Sequence, residues 1–192
     1  ITKHGFASGV RFLLYSPETA AMIPFFINEM QQDNWAPFVT QLAGFDGGLG
    51  VSVGLNLSIT CAEDVSRLEK NVTTEGIFGE KFVSSLLTMC AVWNVASVDS
   101  SFFSPIQSDI PSLLLSGALD PVTPPEQAET AAKGLSNSQH IIAPKMGHNV
   151  AMNLCSVRLM VAFLDTLSTV DDSCLVAESR PPFVIDFFGP LP

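Results

Sequence analysis

The sequence predicts an α/β fold with parallel strands, and three observations carry that reading. An apolar run of strand length, Ser112-Leu113-Leu114-Leu115-Ser116, ends in Gly117-Ala118 and is followed by an acid, Asp120. A Pro/Thr-rich corner, Pro121-Val122-Thr123-Pro124-Pro125, then opens a helix that runs through Ala132 and is closed by Lys133-Gly134. A second apolar run, His140-Ile141-Ile142-Ala143-Pro144, leads to Gly147-His148-Asn149. Strand, helix, strand is the pattern of a parallel pair with its crossover. Open sheets of this kind build their sites at the carboxyl ends of the strands, which is where Asp120 and His148 fall.

The elements before this segment read as mostly helical. Residues 1–45 are apolar on one side. Ser16-Pro17-Glu18 is a helix start, with proline at the first helical position and an acid in the first turn. Met22, Ile23, Phe25, Phe26, Ile27 and Met30 follow, before a break at Gln31-Gln32-Asp33-Asn34. Trp35-Ala36-Pro37-Phe38 begins a second helix through Leu42. The pair reads equally as core or as lid. Gly44 to Gly54 is a glycine-rich connector, and within it Gly50-Val51-Ser52-Val53-Gly54 matches G-x-S-x-G. A nucleophile elbow needs a strand before its serine and a helix after it. Here glycines precede Ser52 and a strand-like alternation, Leu55 to Cys61, follows, so Ser52 reads as a decoy.

That expected strand ends in Ala62-Glu63-Asp64. Asp64 reads as the cap of the helix that follows; the competing reading has Glu63 or Asp64 bind a cation such as a substrate α-amine. Asn71 to Gly79 reads as a loop, Phe82 to Trp93 as a helix, and Ser97 to Gln107 as an extended linker. The last helix, Val150 to Leu167, carries Val150, Leu154, Val157, Val161 and Leu164 along one stripe. The tail from Phe183 to Gly189 adds an edge strand or covers the core. One junction is expected, dividing lid helices at residues 1–54 from a core-bearing part at residues 55–192.

Composition narrows the function classes. Of 192 residues 47% are hydrophobic and 14 are Phe, apolar enough to imply surface that meets another part of a larger protein. A net charge of −10 with nine Lys and Arg argues against nucleic acid or an anionic membrane as partner. The apolar runs are too short to span a bilayer. Four cysteines without a C-x-x-C pair, and three histidines, give no metal-site pattern, and no cofactor is implied. The chain starts at Ile1-Thr2-Lys3-His4, without Met or a signal pattern, and reads as a fragment or processed product.

An acid after one strand and a histidine after the next supply the base half of a Ser–His–Asp triad. In that scheme His148 takes the serine proton and returns it to the leaving group, while Asp120 fixes the imidazole tautomer. Gly147 lets the loop approach closely. His140 lies within a strand and His4 near the start, so neither competes.

Residues 113–125 with Gly147-His148 resemble the C-terminal region of α/β-hydrolase serine peptidases of the prolyl and tripeptidyl aminopeptidase type. The Cys61 segment, Cys90-Ala91-Val92-Trp93, Cys155 through Cys174 and Leu14-Tyr15-Ser16-Pro17 extend the resemblance. It implies the C-terminal part of an α/β-hydrolase fold: the last parallel strands with flanking helices, preceded by lid or cap helices. The family's nucleophile and oxyanion-hole segments belong upstream, so the chain alone is expected to be inactive without a separate N-terminal half. The resemblance also implies the pairs Cys61–Cys90 and Cys155–Cys174, hence an exported protein, periplasmic or secreted. It makes Glu63 and Asp64 candidates for holding a peptide's N-terminus. The expected reaction is release of N-terminal residues from peptides. An ester hydrolase with the same triad, or a non-catalytic module, is the alternative. Self-association through an exposed sheet edge is expected as well.

Overall fold

The computed structural model describes residues 1–46, 52–68 and 79–190. In chain order the helices are α1 (Lys3–Leu13), α2 (Pro17–Ala20), α3 (Ile23–Gln31), α4 (Ala36–Asp46), α5 (Val53–Glu63), α6 (Gly79–Val92), α7 (Pro125–Ala132), α8 (Leu154–Thr166) and α9 (Ser173–Ala177). The strands are β1 (Ser112–Gly117), β2 (Ser138–Ala143), β3 (Val184–Asp186) and β4 (Gly189–Pro190). Two compact units result: a helical unit of residues 1–9 and 38–104, and a sheet unit of residues 10–37 and 105–192.

In the sheet unit β1 and β2 pair in parallel, from Ser112 opposite Ser138 to Gly117 opposite Ala143. The intervening α7 packs on both strands. Side chains alternate across a strand, so Leu113, Leu115, Ile141 and Ala143 share one face. That face packs with Val150, Cys155, Leu159 and Leu175 to form the core. The buried side of α8 is Cys155, Leu159 and Phe163, at i, i+4 and i+8. The expected stripe is therefore corrected: Val150 is buried ahead of the helix, whereas Leu154, Val157, Val161 and Leu164 face solvent. The helix begins where Asn153 Oδ1 accepts the N–H groups of Cys155 (2.7 Å) and Ser156 (3.2 Å). The Cys155–Cys174 disulfide then ties its buried side to α9.

After α9 the chain runs without regular structure to β3, which pairs antiparallel with β4 as a separate ribbon. This hairpin packs on α3, with Val184 N–H bonded to the Ala21 carbonyl at 2.9 Å. It adds no edge to the parallel sheet, which has two strands among the described residues.

The helical unit corrects a second expectation. Residues 55–61 are not a strand but the middle of α5. Ser52 caps that helix, its Oγ accepting the Leu55 N–H at 3.4 Å. Gly54, Ser58 and Cys61 lie on the side that meets α6 and its end: Gly54 faces the Trp93 ring, Ser58 Oγ accepts from Trp93 Nε1 (3.0 Å), and Cys61 is bonded to Cys90. Three partners at helical spacing outweigh the alternation of Leu55, Leu57 and Ile59. The expected loop from Asn71 to Gly79 lies, apart from Gly79, outside the described residues, as do residues 47–51 of the connector. Within the linker, Ser100–Phe103 forms a 3-10 turn capped by Asp99.

Candidate active site

The site is assembled by backbone at the carboxyl ends of β1 and β2. Beyond Gly117 the chain turns back on itself, with Ala118 N–H bonded to the Ala143 carbonyl (3.0 Å) and Leu119 N–H to that of Met146 (3.0 Å). These bonds lock the Asp120 turn to the His148 loop. The approach is so close that a Cβ on Gly117 would stand 2.0 Å from the Gly147 carbonyl oxygen. A Cβ on Gly147 would stand 2.6 Å from that of Tyr15. Three backbones are stacked here, and glycine at two of them is what makes room. Directly after His148, Asn149 takes the left-handed conformation (φ 62°, ψ 48°), which asparagine tolerates better than most residues, and turns the chain into Val150–Met152.

Asp120 is almost fully engaged. Its Oδ1 accepts the N–H groups of Val122 (2.8 Å) and Thr123 (3.0 Å). Its Oδ2 accepts the Thr123 hydroxyl (2.8 Å) and faces His148 Nδ1 at 2.8 Å. The Asp120 side chain is 4% exposed against 27% for His148. Burial pushes the Asp120 carboxyl up, but the bonds from Thr123, His148 and Val122 outweigh it and hold the carboxyl below its ordinary value. Asp120 is thus a carboxylate at neutral pH. A carboxylate oxygen opposite Nδ1, with the Thr123 oxygen a further 3.3 Å contact, requires the proton on Nδ1. The Nε2 lone pair of the neutral ring is then left as a base. The Tyr15 ring packs on the imidazole, centroids 5.3 Å apart and tilted by 59°, and the Arg11 guanidinium lies 5.7 Å from the Tyr15 ring.

The two residues predicted to act together are therefore together. Thr123 and Tyr15 were missed as site residues. Asp-Pro-Val-Thr is a sequence in which an aspartate accepts N–H groups two and three residues on, and that signal was available for Thr123. Tyr15 gives none, because its contact is remote in sequence. Glu63 and Asp64 lie in the helical unit, at the last residue of α5 and just beyond it, not at a strand mouth. Asp64 makes no side-chain cap to the following 3-10 turn, which corrects the cap expectation. Ser52 does have a helix after it, contrary to the reason given for setting it aside. Its φ of −67° and ψ of 106° are nonetheless relaxed extended backbone, not the strained turn of an elbow. His140 Nε2 contacts Ser116 Oγ across the strands at 2.9 Å.

Both cysteine pairs are disulfides, Cys61–Cys90 and Cys155–Cys174. Among the described residues no group of three or more His, Cys, Asp or Glu is placed to hold a metal, and no helix is long and apolar enough to cross a membrane. Comparison with curated proteins and with solved structures gave no match. The family model of TAP-like protein matches residues 74–174, just over half of the chain, a span that holds β1, α7, β2, Asp120, His148 and all of α8. The chain belongs to the TAP-like protein family of α/β-hydrolases, and its parallel strands with their flanking helices are the C-terminal part of that fold.

Proposed function

We propose that this chain supplies the acid–base half of a Ser–His–Asp hydrolase that releases N-terminal residues from peptides outside the cytoplasm. The observation that carries the reading is the 2.8 Å bond between His148 Nδ1 and Asp120 Oδ2, which leaves Nε2 to act as general base. His148 takes the proton of the attacking serine and delivers it to the leaving amine. Asp120 keeps the Nδ1–H tautomer and offsets the positive charge that the ring acquires between those steps. Its lowered carboxyl keeps that charge available through the neutral range. The serine and the oxyanion hole come from an N-terminal half outside this chain. Two disulfides favour a periplasmic or secreted setting.

Labelling with a fluorophosphonate tests the reading. The chain alone is expected to stay unlabelled. A longer form that includes an upstream strand–Gly-x-Ser-x-Gly–helix segment is expected to be labelled and to cleave aminoacyl-naphthylamides. In it, Asp120→Asn lowers kcat by about 10⁴-fold, because the ring loses its tautomer. Labelling of the chain alone at Ser52, or a longer form that cleaves nitrophenyl esters and no peptide, overturns the assignment.

A further inference from the structure

The sheet unit holds a cavity that the Asp–His pair does not itself use. Its volume is about 670 Å³, within the range of sites that enclose a small organic ligand. Leu14, Pro17, Ala20, Ile23, Leu119 and Phe183 give it mainly apolar walls. Leu119 and Gly147, both in the lining, are the chain neighbours of Asp120 and His148, so a ligand here lies beside the backbone of both. One charged side chain lines the cavity, Arg180. Among the described residues the ion pair present is His148 with Asp120, and no carboxylate pairs with Arg180.

The segment carrying Arg180 has no regular structure but is pinned on both sides. Upstream, Cys174 is bonded to Cys155, and Lys145 Nζ donates to the carbonyls of Val176 (3.3 Å) and Glu178. Asn153 Nδ2 also donates to Glu178 Oε1 at 2.7 Å. Downstream, Val184 N–H is bonded to the Ala21 carbonyl. Pro181 and Pro182 fix φ at the two residues after Arg180. Anchors at both ends of an otherwise irregular stretch fix the backbone that carries Arg180, an exposed residue, at the edge of an apolar cavity.

A guanidinium without a carboxylate partner among the described residues is suited to bind one bidentately, and apolar walls favour an aliphatic body. We propose that this cavity is a subsite for an apolar carboxylate, with the aliphatic group against Leu14, Ile23 and Leu119 and the carboxylate on Arg180. The inference rests on the hydrolase reading for its meaning: the ligand is then the free C-terminus of a short peptide bound across His148. A fatty acid shares the same chemistry.

Titrating the full chain and following the backbone amide signals of Leu119 and Gly147 by NMR tests this directly. N-acetyl-leucine is expected to saturate both shifts at about tenfold lower concentration than its carboxamide, and than N-acetylglycine, which lacks the aliphatic body. Arg180→Gln removes the advantage of the acid and leaves the carboxamide unchanged. Tighter binding of N-acetyl-leucine than of octanoate assigns the subsite to peptides, and the reverse assigns it to acyl chains. Equal binding of acid and carboxamide, or no shift at either residue, overturns the proposal. The readout needs no turnover. A chain that binds the acid yet gives no activity with a serine-bearing segment therefore separates failure of the hydrolase reading from failure of the subsite.

Discussion

The two units of the chain are held together in different ways. In the sheet unit, backbone meets backbone: the positions that a side chain on Gly117 or Gly147 would invade are carbonyl oxygens, at 2.0 and 2.6 Å. In the helical unit, side chains meet. A Cβ on Gly9 would run into the ends of Leu42 and Phe38, and one on Gly54 would touch the Trp93 ring at 3.4 Å. Side-chain ends yield by a rotamer change, whereas a backbone carbonyl moves only if its chain segment moves with it. The unit that carries Asp120 and His148 is thus the one whose contacts relax least, which suits the 2.8 Å bond between them.

The disulfides offer the largest break in that comparison. They close loops of 29 and 19 residues, and each contributes roughly 3 to 4 kcal/mol in the chain-entropy model. Replacing Cys61 and Cys90 with Ser removes the covalent tie between α5 and α6, and the helical unit is expected to lose its protection from hydrogen exchange. Replacing Cys155 and Cys174 is expected to loosen α9 and the tail while the amides of β1 and β2 stay protected, because the parallel ladder does not depend on that bond. Equal loss of protection in both units for either pair would mean that the two units do not differ in how they are held.

Gly117→Ala is the next largest effect. The added carbon has to displace the Gly147 carbonyl, and with it the loop that carries His148. Overpacking against backbone is expected to cost about 3 kcal/mol in denaturant unfolding. The His148–Asp120 bond is expected to lengthen, and the downfield Nδ1 proton signal to disappear. Retention of that signal with unchanged stability would mean that the backbone stack is softer than its distances imply.

How far the sequence reveals these features depends on whether the deciding contacts are local. β1, β2 and α7 are legible because apolar runs, Gly117 and the Pro124-Pro125 corner act on their own neighbourhoods. The pairing of Asp120 with His148 follows from strand order alone. The helix at Val53–Glu63 is hidden because Leu55, Leu57, Ile59 and Cys61 alternate like a strand, and only Trp93 and Cys90, remote in sequence, choose between the two forms. In α8, two apolar stripes offset by one residue compete. The disulfide at Cys155 and the cap at Asn153 decide which is buried. Tyr15 against His148 is a contact between residues far apart in sequence that no local pattern encodes.

A smaller effect probes the charge inside the rigid unit. The folded Asp120 carboxyl is held below the ordinary aspartate value of about 3.9. Its stabilisation is therefore fully present above that value and is lost as pH falls through the lower, folded value. Asp120→Asn is expected to cost on the order of 2 kcal/mol at pH 7, the scale of a hydrogen bond to a charged group. The gap to the parent chain is expected to close as pH falls below about 4. A gap independent of pH, measured by urea unfolding across that window, would show that the loss is one of packing and not of charge.

Gly54→Ala is the smallest change and the sharpest counterpart to Gly117→Ala. Gly54 is the second residue of α5, where glycine costs somewhat less, relative to alanine, than the roughly 0.5 to 1 kcal/mol of a helix interior. Its new Cβ would meet the edge of the Trp93 ring at 3.4 Å, close to ordinary contact. The ring is anchored through Nε1 to Ser58 and is otherwise partly exposed, so a small shift of its edge costs little. Helix propensity should therefore win, and the variant is expected to unfold at a slightly higher temperature than the parent chain. Destabilisation on the scale of Gly117→Ala would show that side-chain contacts in the helical unit are as unyielding as backbone contacts in the sheet unit.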